Sequence, residues 1–183
     1  MAVNSLRDLY QNKLRMLCDV ERQIIEVLPR LAERVANRDL RSGLEAHRRQ
    51  TEDQLRQVEE LCGKHGLRPE GRPAAGLKAE LKDVEAKLKE IQDPDTVDAF
   101  VIAAAQGVEH FEIAAYGTAR TWARQLGLQD DAETLQRILQ QEEGTDRLLT
   151  DLAERMVNVA AARAGSEVAA GPGTRGPSQG PTA

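Results

Sequence analysis

Apolar side chains recur along most of this chain at intervals of three, four and seven, the spacing that gathers them on one face of a helix. Residues 5 to 36 carry Leu14, Leu17, Ile24, Ile25, Leu28 and Leu31 in this way and predict a first long helix, with a kink expected at Pro29. A second is predicted from Arg38 to Cys62 through Leu40, Leu44, Leu55, Val58 and Leu61, ending at the Gly/Pro-rich connector "GKHGLRPEGRP". "AELKDVEAKLKEI" predicts a shorter amphipathic crossover element closed by "DPD", where Asp95 or Thr96 is the expected cap of the next helix. The third long helix is predicted from Val97 to about Leu126 and stops at the glycine of "LGLQDD", and the fourth spans about Asp131 to Ala164.

Four long helices in two pairs, joined by a connector that holds a short helix, predict an all-α fold: a ferritin-like four-helix bundle with one long crossover. Composition agrees, since aromatics make up only 3% of the chain and Leu, Ala, Glu, Gln, Arg and Lys dominate. At 183 residues one domain is expected, over residues 1–164. Residues 165–183 are rich in Gly and Pro and poor in large apolar side chains, so they are expected to be a disordered tail.

Charge narrows the partners. The formal net charge is −5, with 25 basic and 30 acidic residues spread along the chain, so there is no basic face for a phosphate backbone and nucleic acid is not expected. No stretch approaches the apolar length of a membrane span, and "MAVNSLRDLY" has neither a basic nor an apolar leader region, so a cytoplasmic protein is expected. Cys18 and Cys62 lack the spacing of a zinc or redox motif and read as reduced, partly buried thiols, while His65 is assigned with its connector to solvent.

The helical stripes are interrupted by acids. Glu21 lies four residues after Leu17 and four before Ile25, inside the apolar face, whereas Glu26 falls outside it. Glu142 stands in the same relation to Leu135, Ile138 and Leu149, with Thr145 and Asp146 following on its face. In the third helix Glu109, Glu112 and Tyr116 share a face with the small Ala105 and Ala119, while His110 is turned away from Glu109 by about 100°. On the second helix His47 and Thr51, with Gln50 and Gln54 beside them, break the stripe, so every long helix offers a ligand candidate at one level of the bundle. Buried carboxylates need protons, cationic partners or a metal, and several together favour a cation. Oxygen-rich sites with one or two imidazoles suit iron or manganese, with iron preferred here. The competing reading pairs Glu21 and Glu142 with arginines such as Arg15, Arg120 or Arg147, keeps His47 as a hydrogen-bonded core residue and packs Tyr116 as an ordinary buried aromatic.

"CDVERQIIEVLPRLAE", "AHRRQTEDQLRQVEEL", "AAAQGVEHFEIAAYGTARTWARQLGL" and "EEGTDRLLTDLAE" together resemble the YciE/YciF family of ferritin-like stress proteins, over about residues 5 to 160. The most specific piece is "VEHFEIAAYGT", which is similar to the family's Val-Glu-His-Tyr-Glu-Ile-Ala-x-Tyr-Gly-Thr signature with Phe111 in place of a tyrosine. The resemblance implies a dimeric ferritin-like bundle, a dimetal centre and a role in bacterial stress responses. It carries the family's inward acids onto Glu21, Glu109, Glu112 and Glu142, with His47 and Asp146 retained. Where members often read His-Leu-Glu-Glu-Thr this chain has "HRRQT", so Arg49 and Gln50 replace two acids, and Gln141 precedes Glu142 where an acid is frequent. Gln50 retains a carbonyl oxygen for coordination but no charge, so an asymmetric site is expected.

Three functions follow as expectations. In the first, Glu21, His47, Gln50, Glu109, Glu112, Glu142 and Asp146 hold a di-iron site that oxidises Fe(II) with oxygen or peroxide, tuned by Tyr116 from outside the ligand set. In the second, a cation-free polar network sets helix register and dimerisation in a non-catalytic stress protein. The third is peroxide removal at a dimanganese site, against which stands a total of three histidines. Apolar residues on the crossover helix lead to the expectation of a homodimer.

Overall fold

Each long helix starts and stops where local chemistry satisfies its free backbone groups. Ser5 opens α1 (Leu6–Arg34) by accepting from the Asp8 backbone, 3.1 Å away, and Asn37 opens α2 (Arg38–Lys64) through Leu40 N at 3.0 Å. The crossover helix α3 (Ala75–Leu88) has no side-chain cap and begins four residues before the apolar pattern predicts it. Asp93, rather than Asp95 or Thr96, caps α4 (Pro94–Gln125): its Oδ1 accepts from Thr96 N at 2.7 Å, and Pro94 fills the first helical position. Helices α2 and α4 end in the same motif, with Gly66 at φ 65° and Gly127 at φ 73°, a left-handed conformation that glycine adopts without a Cβ clash. In both, the following residue closes the turn, Leu67 N to Cys62 O and Leu128 N to Ala123 O, each at 2.9 Å.

The computed structural model describes residues 3–70 and 73–170, and every regular element among them is helical. Helix α1 runs unbroken through Pro29. The predicted fourth helix is α5 (Gln129–Leu152), which passes through a π-helical turn at Ala153–Val157 into α6 (Asn158–Ala170). Helix therefore continues six residues into the stretch assigned to a disordered tail; residues 171–183 lie outside the described residues. Among the described residues no helix is long and apolar enough to cross a membrane.

Only three residues separate α1 from α2, which makes them antiparallel neighbours, and α4 and α5 form a second such pair. Contacts of α1 with α4 and of α2 with α5 close the bundle, while α3 lies against α1 and α4. The result is the expected four-helix bundle with a long crossover. Leu77, Leu81, Val84 and Leu88 of α3 are all buried, so the crossover helix does not present the apolar surface on which homodimerisation was expected. The crossover is anchored further by Ala74 N, which donates to Asp19 Oδ2 at 2.8 Å.

Two apolar clusters fill the interior. One groups Val20, Ile24, Leu28, Leu31, Leu40, Leu44, Val101, Ala105 and Val108 with α3. The other groups Tyr10, Leu14, Leu17, Val58, Ala115, Tyr116, Ala119, Leu135 and Ile138. Between them lies a buried polar layer, with Glu21 falling between Leu17 of the second cluster and Ile24 of the first. The end of the bundle beyond the first cluster is tied by Asp98, only 3% exposed, whose two carboxylate oxygens accept from Ala36 N and Asn37 N at 2.8 Å each. Asp98→Ala leaves both amides without their acceptor and is expected to cost about 1–3 kcal/mol in chemical denaturation. An unchanged midpoint would mean that this clasp contributes nothing.

Candidate metal centre

The polar layer is built from all four long helices: Glu21 on α1, His47, Thr51 and Gln54 on α2, Glu109 and Glu112 on α4, and Glu142 on α5, every one of them buried. Ligating atoms of His47, Glu109, Glu112 and Glu142 lie within 4.8 Å of one another. Within this group His47 Nε2 approaches Glu109 Oε1 to 3.1 Å. Helical repeat explains the convergence, because Glu109 and Glu112 are three residues apart on one face of α4 and meet single residues from the facing helices.

Polar neighbours hold these groups from behind. The Tyr116 hydroxyl donates to Glu21 Oε1, and Gln54 Nε2 donates to Glu142 Oε1 and, at 3.0 Å, to Gln141 Oε1. Thr145 Oγ1 lies 3.3 Å from the Gln141 carbonyl, to which it donates its only proton, and 3.4 Å from His47 Nδ1. Its remaining lone pairs can accept from Nδ1–H, the tautomer that would leave Nε2 free for an ion.

The carboxylates are under-satisfied. Among the described residues Glu21 Oε2, Glu109 Oε2, Glu142 Oε2 and both oxygens of Glu112 are buried with no hydrogen-bond donor set against them. Among the described residues no lysine or arginine pairs with them. Arg15 donates to the Glu70 carbonyl and Arg120 to Gln136 Oε1, so the arginine pairing weighed as an alternative is not what this layer contains. Burial, followed by repulsion from neighbouring acids, holds the Glu112 and Glu142 carboxyls well above the ordinary carboxylate range. Burial pushes Glu21 up to about 7, a rise limited by the Tyr116 hydrogen bond and by His47. The Tyr116 phenol is itself driven upward by burial and by Glu21 and Glu112, so it stays protonated and remains a donor. Three carboxylates and one imidazole, with orphaned oxygens turned toward one another, fit an oxygen-preferring metal such as iron or manganese.

Other expected site residues fall elsewhere. Asp146 is 22% exposed and accepts from Gln106 Nε2 at 3.0 Å, with His110 Nε2 at 3.3 Å, which sets it at the α4/α5 seam rather than in the four-residue group. Gln50 is half-buried, and the glutamine fully enclosed in the layer is Gln54. Its position seven residues after His47 was the available signal. His65 is not a solvent residue: its Nε2 meets buried Asp131 Oδ2 at 2.5 Å, and the same carboxylate takes Tyr10 OH at 2.9 Å and Lys64 Nζ at 2.7 Å. This second network joins α1, α2 and α5 at the far end of the bundle from Asp98.

Residues 5–162 match the family described as Domain of unknown function (DUF892). The chain is 31% identical over 159 residues to Protein YciF of Escherichia coli (strain K12), covering 86% of this chain and 96% of that protein. The crystal structure of the E. coli stress protein YciF superposes with a TM-score of 0.81 at 30% identity, over 85% of this chain and 99% of the other. YcfI of Rhodopseudomonas palustris gives a TM-score of 0.78 at 34% identity, over 81% of this chain and 94% of the other.

Proposed function

The chain belongs to the DUF892 family and is similar to YciF, and from that premise we propose that its buried layer holds iron and oxidises Fe(II) with oxygen or peroxide, in the service of a stress response. The observation that carries the reading is the set of buried carboxylate oxygens with neither a donor nor a cation. A self-sufficient polar network would set donors against these acids; here acid faces acid, Glu21 against Glu112 and Glu109 against Glu142, where His47, Glu109, Glu112 and Glu142 bring ligating atoms within 4.8 Å of one another.

In this reading those four residues are the ligands, and bound iron supplies electrons to the oxidant. Glu21 adds negative charge at the edge of the group, where Tyr116 fixes its orientation. Gln54 sets the rotamer of Glu142, and Thr145 sets the face that His47 presents. A small, largely apolar cavity lined by Gly43, Leu44, Leu148 and Leu149 also borders His47 and Glu109 and has room for about one water-sized molecule. Iron is favoured over a manganese peroxide-removing site because one imidazole alone enters the layer.

The test is elemental mass spectrometry after anaerobic loading with Fe(II) and desalting, followed by admission of oxygen. Stoichiometric iron is expected, followed by oxygen-dependent oxidation that saturates with Fe(II). About two ions per chain would indicate a dimetal centre, and one would indicate a single-ion site consistent with the lost acid at Gln50. No retained metal would sink the proposal.

A further inference from the structure

Cys18 on α1 and Cys62 on α2 are both fully buried, and their sulfurs lie 3.8 Å apart. Burial alone describes an inert thiol, but the surroundings of this pair are not simply apolar. Arg15 and Arg22, one turn to either side of Cys18, send their guanidinium groups to the carbonyls of Glu70 and Pro69, and Arg22 also reaches Glu59 at 2.6 Å. The backbone of Cys62 is held in the glycine stop of α2 through Leu67 N. Two thiols are therefore fixed face to face across a helix pair, beneath two guanidinium groups and one carboxylate.

We propose that Cys18 and Cys62 are a peroxide-oxidisable dithiol that closes to a disulfide linking α1 to α2. The Cys62 sulfur attacks one oxygen of hydrogen peroxide, breaking the O–O bond, and gives a sulfenic acid and one water. The Cys18 sulfur then attacks the sulfenic sulfur; the S–S bond forms and the S–O bond breaks, releasing a second water. The two thiols lose two electrons and two protons in all, and the peroxide gains them. Either sulfur can be the donor in the contact between them, so the same two steps serve with the roles of Cys18 and Cys62 exchanged. Closing the bond brings the sulfurs from 3.8 Å to the roughly 2.05 Å of a disulfide between two packed neighbouring helices. Both sulfurs are fully buried, so hydrogen peroxide, little larger than water, reaches them through local opening of the α1–α2 seam.

This proposal does not depend on the iron reading and is tested without metal. The full chain, stripped with a chelator, is treated with hydrogen peroxide, quenched in denaturant with an alkylating agent and digested without reductant for mass spectrometry. A Cys18–Cys62 cross-linked peptide within one chain, lighter by two hydrogens and lost on adding dithiothreitol, is the expected result. In Cys18→Ala, Cys62 should stop at a sulfenic acid that dimedone traps. Two thiols that remain alkylated after peroxide as before it, or that end as separate sulfinic acids with no cross-link, would overturn the proposal.

Discussion

At pH 8 the metal-free Glu112→Gln variant is expected to be more stable than the parent by about 1–3 kcal/mol, and at the same time to lose iron retention and most oxygen-dependent oxidation. Both effects come from one fact: among the described residues no hydroxyl, amide or cation reaches either oxygen of Glu112, whose neighbours are other acids, Glu21 foremost. Without a cation, burial and the neighbouring acids raise the folded pKa of Glu112, Glu142 and Glu21 above the ordinary 4.5, that of Glu21 to about 7. The folded state then holds protons that the unfolded chain has released. The stability contributed by these carboxyls is complete below about pH 4.5 and is lost as pH rises through the folded values, from 4.5 to about 7 for Glu21 and through the raised values of the other two. Glutamine keeps the shape, removes one titrating group and offers an amide donor to the adjacent acids. It cannot neutralise a metal ion, so binding is expected to fall by at least 100-fold. The two readouts are thermal melts of the metal-free proteins between pH 5 and 8 and elemental analysis after Fe(II) loading. A variant that retained iron like the parent would remove Glu112 from the ligand set, and one that lost stability at pH 8 would mean that its carboxylate is satisfied without metal.

Asp131→Ala is expected to destabilise the fold by about 2–4 kcal/mol while leaving metal content unchanged. Asp131 is completely buried and takes Tyr10 OH at 2.9 Å, Lys64 Nζ at 2.7 Å and His65 Nε2 at 2.5 Å. Truncation strands the Tyr10 hydroxyl inside the core and leaves the largely enclosed His65 without its acceptor, while Lys64 returns to water. Burial by itself would raise the Asp131 pKa, but the hydrogen bonds from Lys64, His65 and Tyr10 outweigh it and hold the carboxyl below its ordinary 3.8. The stabilisation is therefore present above about pH 4 and disappears as pH falls through the folded value, so the gap between parent and variant should close on acidification. Equilibrium urea unfolding at pH 7 and pH 3 measures both quantities. A difference below about 1 kcal/mol at pH 7 would show that the network is incidental.

These two sites were not equally visible in the sequence. Glu21, Glu109, Glu112 and Glu142 interrupt apolar stripes at helical spacing, and such interruptions survive translation into three dimensions because a long helix keeps its phase. His47 was marked in the same way, and the line His47, Thr51, Gln54 and Val58 continues at intervals of four and three. Gln50 lies at the margin of that line, which is why the enclosed glutamine is Gln54. Asp146 follows Glu142 by one turn, yet it meets His110 and Gln106 at the seam, because a straight stripe drifts around the helix over successive turns. The Asp131 network carried no such signal. His65 and Asp131 are 66 residues apart, on a connector and at the start of a helix, and no periodicity relates them. Asp98 was hidden for the same reason: its partners are backbone amides at a turn, which have no residue type to read. The beginning of α3 was misplaced because nothing caps it.

The division of the interior into two apolar clusters bears on the order of assembly. Each end of the bundle has its own oily interior, so the chain need not wait for a metal ion before its helices pack, unlike small domains that collapse only around their ion. The ion in our proposal would be a late arrival, entering a cage whose walls already stand and whose protons it displaces. A cell could then keep a reserve of finished but unloaded protein and commission it when iron becomes free, without new synthesis.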